Sequence, residues 1–300
     1  MEDIREFFDD LGGDSYALAV YFGCLVFLIV SILGFWLLPW SWIVALASVL
    51  ITFVIYRHHS IKRAQPGLQT GRRWVAPYKP GDPIPDTRKL PAVYFLYVLG
   101  SGGHTTEMIE TIKHKFQGQA NQHRRYIVTT GDNDSINRII RLESKIKDAF
   151  PDERRGTIDS FSIPRARKVH QPLLTAPFTC LATAVHAVNA LTREPEARPR
   201  RLYGTEFKYP HVIVTNGPAT GFIVCLVGHV LKMLYLVPQN RLKMVYIESW
   251  ARTRTLSLTG KLFLWTGIAD LFCVQHRELA ERTPGSLYVG QVTARLVPPG

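Results

Sequence analysis

The hydrophobic pattern divides the chain into two unlike parts. From Tyr16 to Tyr56 no side chain carries a formal charge. About 20 apolar residues cross a bilayer, so this run exceeds one straight crossing. Pro39 interrupts it, with Trp40 and Trp42 just beyond. Proline breaks a helix, and tryptophan favours the membrane interface. The pattern predicts either a tight hairpin of helices over 17–38 and 41–56, or a single crossing with an interfacial extension. Beyond Pro91 the pattern changes. Apolar runs over 92–99 (AVYFLYVL), 125–130 (RYIVTT) and 211–215 (HVIVT) read as buried strands, and so do 157–163, 244–248, 270–275 and 287–289. Helices are expected over 105–116, 172–191 and 219–235, with short helices between the later strands. This alternation predicts an α/β fold, a single Rossmann-like, doubly wound parallel sheet that binds ligands off the carboxyl ends of its strands. Stretches 173–191 and 222–237 are apolar enough to pass for membrane spans. The second follows a strand and a tight turn, the setting of a helix packed on a sheet. The first contains Pro177 and reads either as core or as lying partly in the membrane interface.

These boundaries give an acidic tail over 1–15, a membrane anchor over 16–56, a basic Pro/Gly-rich linker over 57–91 and a domain over 92–300. The leading residues Glu2, Asp3, Glu6, Asp9, Asp10 and Asp14 are acidic, where a cleaved signal peptide would be basic. Arg57, His58, His59, Lys62, Arg63, Arg72, Arg73 and Lys79 follow the apolar run. Positive charge beside a membrane segment marks the cytoplasmic side, and it also suits anionic headgroups. The formal net charge of +12 points to an anionic partner. Nucleic acid is disfavoured, because the basic residues cluster beside the membrane and no aromatic-basic stacking pattern appears. Cys24, Cys180, Cys225 and Cys273 lie far apart without a C-x-x-C pair, so they read as free thiols in a reducing compartment. No metal and no cofactor is expected.

Four motifs carry the candidate chemistry. Gly100-Ser101-Gly102-Gly103-His104-Thr105-Thr106-Glu107 joins the first strand to the first helix. Glycines there admit a close backbone approach, and the free N–H groups of a helix start favour phosphate. Thr105 stands where a dinucleotide fingerprint needs its third glycine, and the Gly-Lys-Ser/Thr of a P-loop is absent. The plainer reading is a tight turn without ligand. Thr215-Asn216-Gly217-Pro218-Ala219-Thr220-Gly221 repeats the strand-to-helix setting; Asn216 either caps the helix or hydrogen-bonds a sugar. In Ile163-Pro164-Arg165-Ala166-Arg167-Lys168-Val169 the basic residues are either solvated or neutralise a diphosphate. Glu248 ends a strand at the expected ligand edge, as a functional carboxylate or as a salt-bridge partner of Arg252.

The pieces LGSGGHTTEM, IPRARKV, TNGPATG, VYIESWARTRTLSLTGK, DLFCVQ and YVG run in that order from Leu99 to Gly290. In them the chain resembles the membrane-anchor subunits of the two-chain UDP-N-acetylglucosamine transferase of the dolichol pathway. That family is similar in turn to the amino-terminal half of bacterial lipid-linked GlcNAc transferases. The chain departs from the pattern in its extra apolar length before Arg57, its long linker, and Thr220-Gly221 where a Gly-Thr pair is more usual. The resemblance implies the N-terminal half of a GT-B glycosyltransferase, with the acceptor in this domain. The sugar nucleotide then sits on a separate, soluble catalytic subunit. It implies transfer of GlcNAc from UDP-GlcNAc to GlcNAc-diphosphodolichol, in the endoplasmic reticulum membrane and the continuous nuclear membrane, with the domain in the cytosol. The implied ligands are a dolichol-linked diphosphate sugar and membrane lipids. Gly100, Ser101, Gly102, Gly103, Thr105, Arg165 and Arg167 would contact the diphosphate, with Asn216, Gly217 and Thr220 forming a second loop. An inverting transfer needs a base for the acceptor hydroxyl; His104 is the first candidate and Glu248 the second. The chain is not expected to be active alone. Two other readings stay open: a self-sufficient membrane glycosyltransferase on another lipid, and a non-enzymatic membrane scaffold.

Overall fold

A computed structural model describes residues 15–37, 39–63, 92–116, 118, 121–167, 171–172, 174–197 and 207–290. The acidic residues before 15, the linker from 64 to 91, Lys168 and residues 291–300 lie outside them. The chain forms two units, residues 1–61 and 62–300. In the first, α1 spans Ser15–Leu37 and α2 spans Trp40–Arg63. Pro39 stands at the break, and its carbonyl accepts from the N–H groups of Trp42 (2.9 Å) and Ile43 (3.3 Å). Proline here ends one helix and starts the next. Among the described residues, α2 is the one helix long and apolar enough to cross a membrane. Its Val44, Leu46, Val49, Leu50 and Ile51 are all more than half exposed, so it is apolar all round, as a helix in lipid is.

The second unit is a seven-stranded parallel sheet in the order β3-β2-β1-β4-β5-β6-β7. The strands are β1 Val93–Val98, β2 Gln122–Thr129, β3 Thr157–Ile163, β4 Val212–Thr215, β5 Lys243–Ile247, β6 Leu271–Val274 and β7 Leu287–Tyr288. The chain builds outward from β1 to β3, then returns to place β4 on the other side of β1. This reversal makes the β1–β4 junction the switch point at which a doubly wound sheet opens a crevice. On one face α3 (Gly103–Lys115) and α4 (Asn133–Ala149) cover a core of Leu99, Met108, Ile112, Tyr126, Val128, Ile139 and Leu142. A single-turn helix, α5 (Asp152–Arg155), precedes β3. On the other face α6 (Ala176–Thr192), α7 (Ala219–Met233) and α8 (Leu258–Thr266) cover Leu96, Val98, Ile127, Ile213, Met244 and Phe263. The short α9 (Arg277–Arg282) precedes β7. Both faces of the sheet are thus buried, which is why its strands read as unbroken apolar runs.

Three features depart from the sequence expectation. The helix α4 was not anticipated between the second and third strands. The strand β2 starts at Gln122, so His123, Arg124 and Arg125 are buried inside the sheet. Each guanidinium is compensated: Arg124 bonds the Glu143 carboxylate at 2.9 and 2.7 Å, and Arg125 bonds Asp159 at 2.8 and 2.5 Å. Buried charge is tolerated when it is paired in this way. Finally, α6 starts at Ala176 and not at 172, which puts Pro177 in the first turn, where its missing N–H costs nothing. Cys225 and Cys273 are buried free thiols; burial pushes Cys273 up to about 12, away from thiolate chemistry.

Candidate functional site at the strand reversal

Val98 and Thr215, the last residues of β1 and β4, are paired neighbours in the sheet. Each strand runs through a short loop directly into a helix, β1 into α3 and β4 into α7. The two loops touch at Gly100. A Cβ there would lie 2.6 Å from Pro218 Cδ, 2.7 Å from His104 Cβ and 3.0 Å from the Gly217 carbonyl. Glycine at this position therefore serves loop-to-loop packing. Gly102 has a different reason, a φ of +63° that glycine alone adopts freely. A Cβ at Gly102 or Gly103 would meet nothing within 4 Å, so both border open space. No side chain caps the start of α3. Its first N–H groups have no intrahelical acceptor, an arrangement that, with the helix dipole, suits an anion.

The side chains predicted for this site are brought together unequally. His104 is half-buried at the helix start, with its Nδ1 buried and unpartnered among the described residues. Ser101 is half-buried on the same loop. The Thr105 side chain turns inward; its hydroxyl donates to the Gly100 carbonyl and meets Ser135 Oγ at 2.7 Å. Only its backbone N–H remains for a ligand. Asn216 is buried, and its Nδ2 donates to the His104 carbonyl (2.7 Å) and to Glu107 Oε2 (3.3 Å). Gly217 holds a φ of +87° in the second loop. Thr220 is buried and accepts from the Ala166 N–H at 3.2 Å, which draws the Arg165–Arg167 segment to the start of α7. Arg165 is half-buried there, while Arg167 is exposed and donates to the Gln171 carbonyl.

Glu248 follows β5 and is 1% exposed. Its Oε1 accepts from the Ser249 N–H (3.0 Å), and its Oε2 accepts from the Ser257 N–H (3.0 Å) and Oγ (3.1 Å). A Cβ on Gly260 would collide with Oε2. These donors, and not Arg252, hold the carboxylate. It organises the turn into α8, where Ser257 is the N-cap and accepts from the Gly260 N–H at 2.9 Å.

One further residue, Glu107, completes the crevice floor; sequence placed it in the first motif but gave it no role. The buried Glu107 carboxylate accepts from Asn216 and from Ser249 Oγ (2.8 Å), so it ties together the segments that follow β1, β4 and β5. Its signal was present in the spacing: three residues beyond His104, it shares that helix face. A surface pocket of about 590 Å3, lined by Phe207, Tyr209, Tyr235 and Leu236 among others, is not part of this crevice.

Known proteins resemble this chain over most of the sheet domain. A UDP-N-acetylglucosamine transferase subunit of Schizosaccharomyces pombe is 31% identical over 199 residues, 66% of this chain and 83% of that protein. The subunit of the same name from Yarrowia lipolytica is 34% identical over 196 residues, 65% of this chain and 79% of that one. The crystal structure of Acinetobacter baumannii MurG overlaps 63% of this chain and 42% of its own at 14% identity, with a TM-score of only 0.37. Residues 95–292 match the family described as "Oligosaccharide biosynthesis protein Alg14 like", and the chain belongs to that family.

Proposed function

We propose that this chain is the membrane-anchoring, acceptor-binding subunit of a UDP-GlcNAc transferase. In this reading it adds the second GlcNAc to GlcNAc-diphosphodolichol at the cytosolic face of the endoplasmic reticulum. A separate soluble subunit holds UDP-GlcNAc. The observation that carries the reading is the crevice at the β1–β4 reversal, where an uncapped helix start and two glycines facing open space meet a histidine. Its relatives, which are named as UDP-N-acetylglucosamine transferase subunits, point the same way.

The α3 N–H groups bind the acceptor diphosphate, and Arg165, whose segment after β3 is drawn to the start of α7 by the Ala166–Thr220 hydrogen bond, adds positive charge. The acceptor hydroxyl attacks the anomeric carbon of the incoming GlcNAc. The new C–O bond forms as the bond to UDP breaks, and UDP leaves with the electron pair. His104 takes the hydroxyl proton. Glu248 is less suited, because its oxygens already accept from Ser249 and Ser257. The test is purification of the tagged chain from membranes, identification of its co-purifying protein, and assay of both. Transfer from UDP-GlcNAc to GlcNAc-diphosphodolichol is expected only when the two are combined. Full activity of the chain alone would overturn the division of labour and favour a self-sufficient transferase.

A further inference from the structure

Glu107 is a charged residue in an apolar setting. It lies one turn into α3, is 7% exposed, and is followed on the inner face of that helix by Met108 and Ile112. A buried charge is costly unless it is paired. The groups that hold this one are neutral: the Ser249 hydroxyl donates to Oε1 at 2.8 Å, and the Asn216 amide donates to Oε2 at 3.3 Å. Packing alone would be served better by an apolar side chain, so the carboxylate needs another explanation. Its two donors stand 142 and 109 residues away in sequence, in the segments that follow β5 and β4. The line of bonds continues to the candidate base. The Asn216 nitrogen that reaches Glu107 also donates to the main-chain carbonyl of His104 at 2.7 Å. At the other end, the Ser249 N–H donates to Glu248, whose carboxylate builds the turn into α8. Glu107 therefore joins the position of His104 to the segment after β5, through the His104 main chain.

We propose that Glu107 is a positioning residue for the transfer reaction: it holds the start of α3 against the segments after β4 and β5, and so fixes where the His104 ring stands in the crevice. The proposal rests on the reading of His104 as the base. A base must stand within hydrogen-bond reach of the hydroxyl, and a misplacement of about 1 Å can cost roughly a hundredfold in rate. A carboxylate suits this task because it accepts at both ends. An amide in its place can turn over and present a donor to Asn216, which would then lose its hold. The glycine loop has a support of its own. The Thr105 hydroxyl donates to the Gly100 carbonyl and meets Ser135 Oγ, and neither bond involves Glu107. The N–H groups assigned to the diphosphate therefore outlast the loss of Glu107, whereas the placement of the ring does not.

The test uses the reconstituted two-chain enzyme, with GlcNAc-diphosphodolichol varied at saturating UDP-GlcNAc. Glu107→Ala should lower turnover by about 10–100-fold and leave the acceptor KM within about twofold. In a His104→Ala background the same substitution should have no further effect, because a misplaced base and a missing one are equivalent. Ser249→Ala cuts the line at its far end and serves if Glu107→Ala does not fold. It too should slow the wild-type enzyme and be silent once His104 is gone. Losses that multiply in the double variants show a general weakening of the fold and overturn the proposal. A Glu107→Ala enzyme that raises KM alone overturns it as well. Slow His104→Ala beside normal turnover of Glu107→Ala or Ser249→Ala overturns the positioning role and leaves the base assignment standing. Normal turnover of His104→Ala overturns both.

Discussion

Asn216 donates a hydrogen bond to the main-chain carbonyl of His104 at 2.7 Å, across 112 residues of sequence. The same amide nitrogen reaches Glu107 at 3.3 Å. Both partners accept only, which fixes the amide with its nitrogen inward. Asn216→Ala leaves these buried acceptors short of a donor, and the expected cost is about 1–3 kcal/mol. Asn216→Asp should be worse at neutral pH, because it sets a second carboxylate against Glu107, and part of the loss should return on mild acidification. Thermal melting of the two variants in detergent, at neutral and mildly acidic pH, checks the order.

Gly260 and Glu248 form a second coupled pair. A methyl group at position 260 has no room beside Glu248 Oε2, so Gly260→Ala must displace the carboxylate from Ser257. The expected loss is about 1–3 kcal/mol, the usual cost of overpacking. Lys261→Ala, one residue on and exposed, should melt as the wild type does. Equal melting of the Gly260 variant and the wild type would show that the turn relaxes freely.

Acid should destabilise the domain in two steps. His211 accepts the Tyr94 N–H at its Nδ1 (2.9 Å). Burial, aided by the charge of Arg241, lowers its pKa from 6.5 to about 4. Its contribution is complete above 6.5 and is lost as pH falls toward 4, because the unfolded chain takes up the proton first. His211 is only partly buried, so screening leaves roughly 1 kcal/mol. Burial alone would raise the Asp159 carboxyl, but hydrogen bonds and charge from Arg125 and His123 hold it below its ordinary 3.8. That contribution is lost only as pH falls below the ordinary carboxylate value. Urea melts across this range should show both losses, and His211→Gln should remove the first while leaving the second.

Most of the strands and the two glycine-bearing loops were readable in sequence because a parallel sheet buries both faces, so each strand is an apolar run that stops at a turn, whereas the order of strands in the sheet was not. The helix α4 was not, since its apolar positions Ile139, Leu142 and Ile146 alternate with charged residues in a stretch that reads as polar. The start of β2 was hidden for a related reason. His123 and Arg124 look solvated until their partners Thr157 and Glu143, 34 and 19 residues away, are brought beside them. The roles of the three glycines were likewise invisible. Sequence suggested one purpose, ligand approach, whereas packing, backbone conformation and open space separate Gly100, Gly102 and Gly103.

That separation sets up the sharpest test of the site. Gly102→Val would confound strain with ligand exclusion, because a β-branched residue resists a φ of +63°. Gly103→Ala does not, as position 103 opens α3, borders open space, and alanine suits a helix better than glycine. If the diphosphate rests on this helix start, Gly103→Ala should raise the acceptor KM by tenfold or more, about 1.4 kcal/mol, with unchanged melting. Gly100→Ala should do the reverse in kind. Its methyl group strikes Pro218 and the Gly217 carbonyl, so melting falls before binding does. His104→Ala should keep KM and melting while lowering turnover by about 10²–10⁴-fold, the range for a lost general base. All three are measured as turnover of the reconstituted two-chain enzyme at varied acceptor and saturating UDP-GlcNAc, beside a melting curve. Near-normal turnover of a folded, partner-bound His104→Ala complex would remove His104 from the proton transfer. Because Glu248 already accepts from Ser249 and Ser257, the base would then be sought on the partner chain.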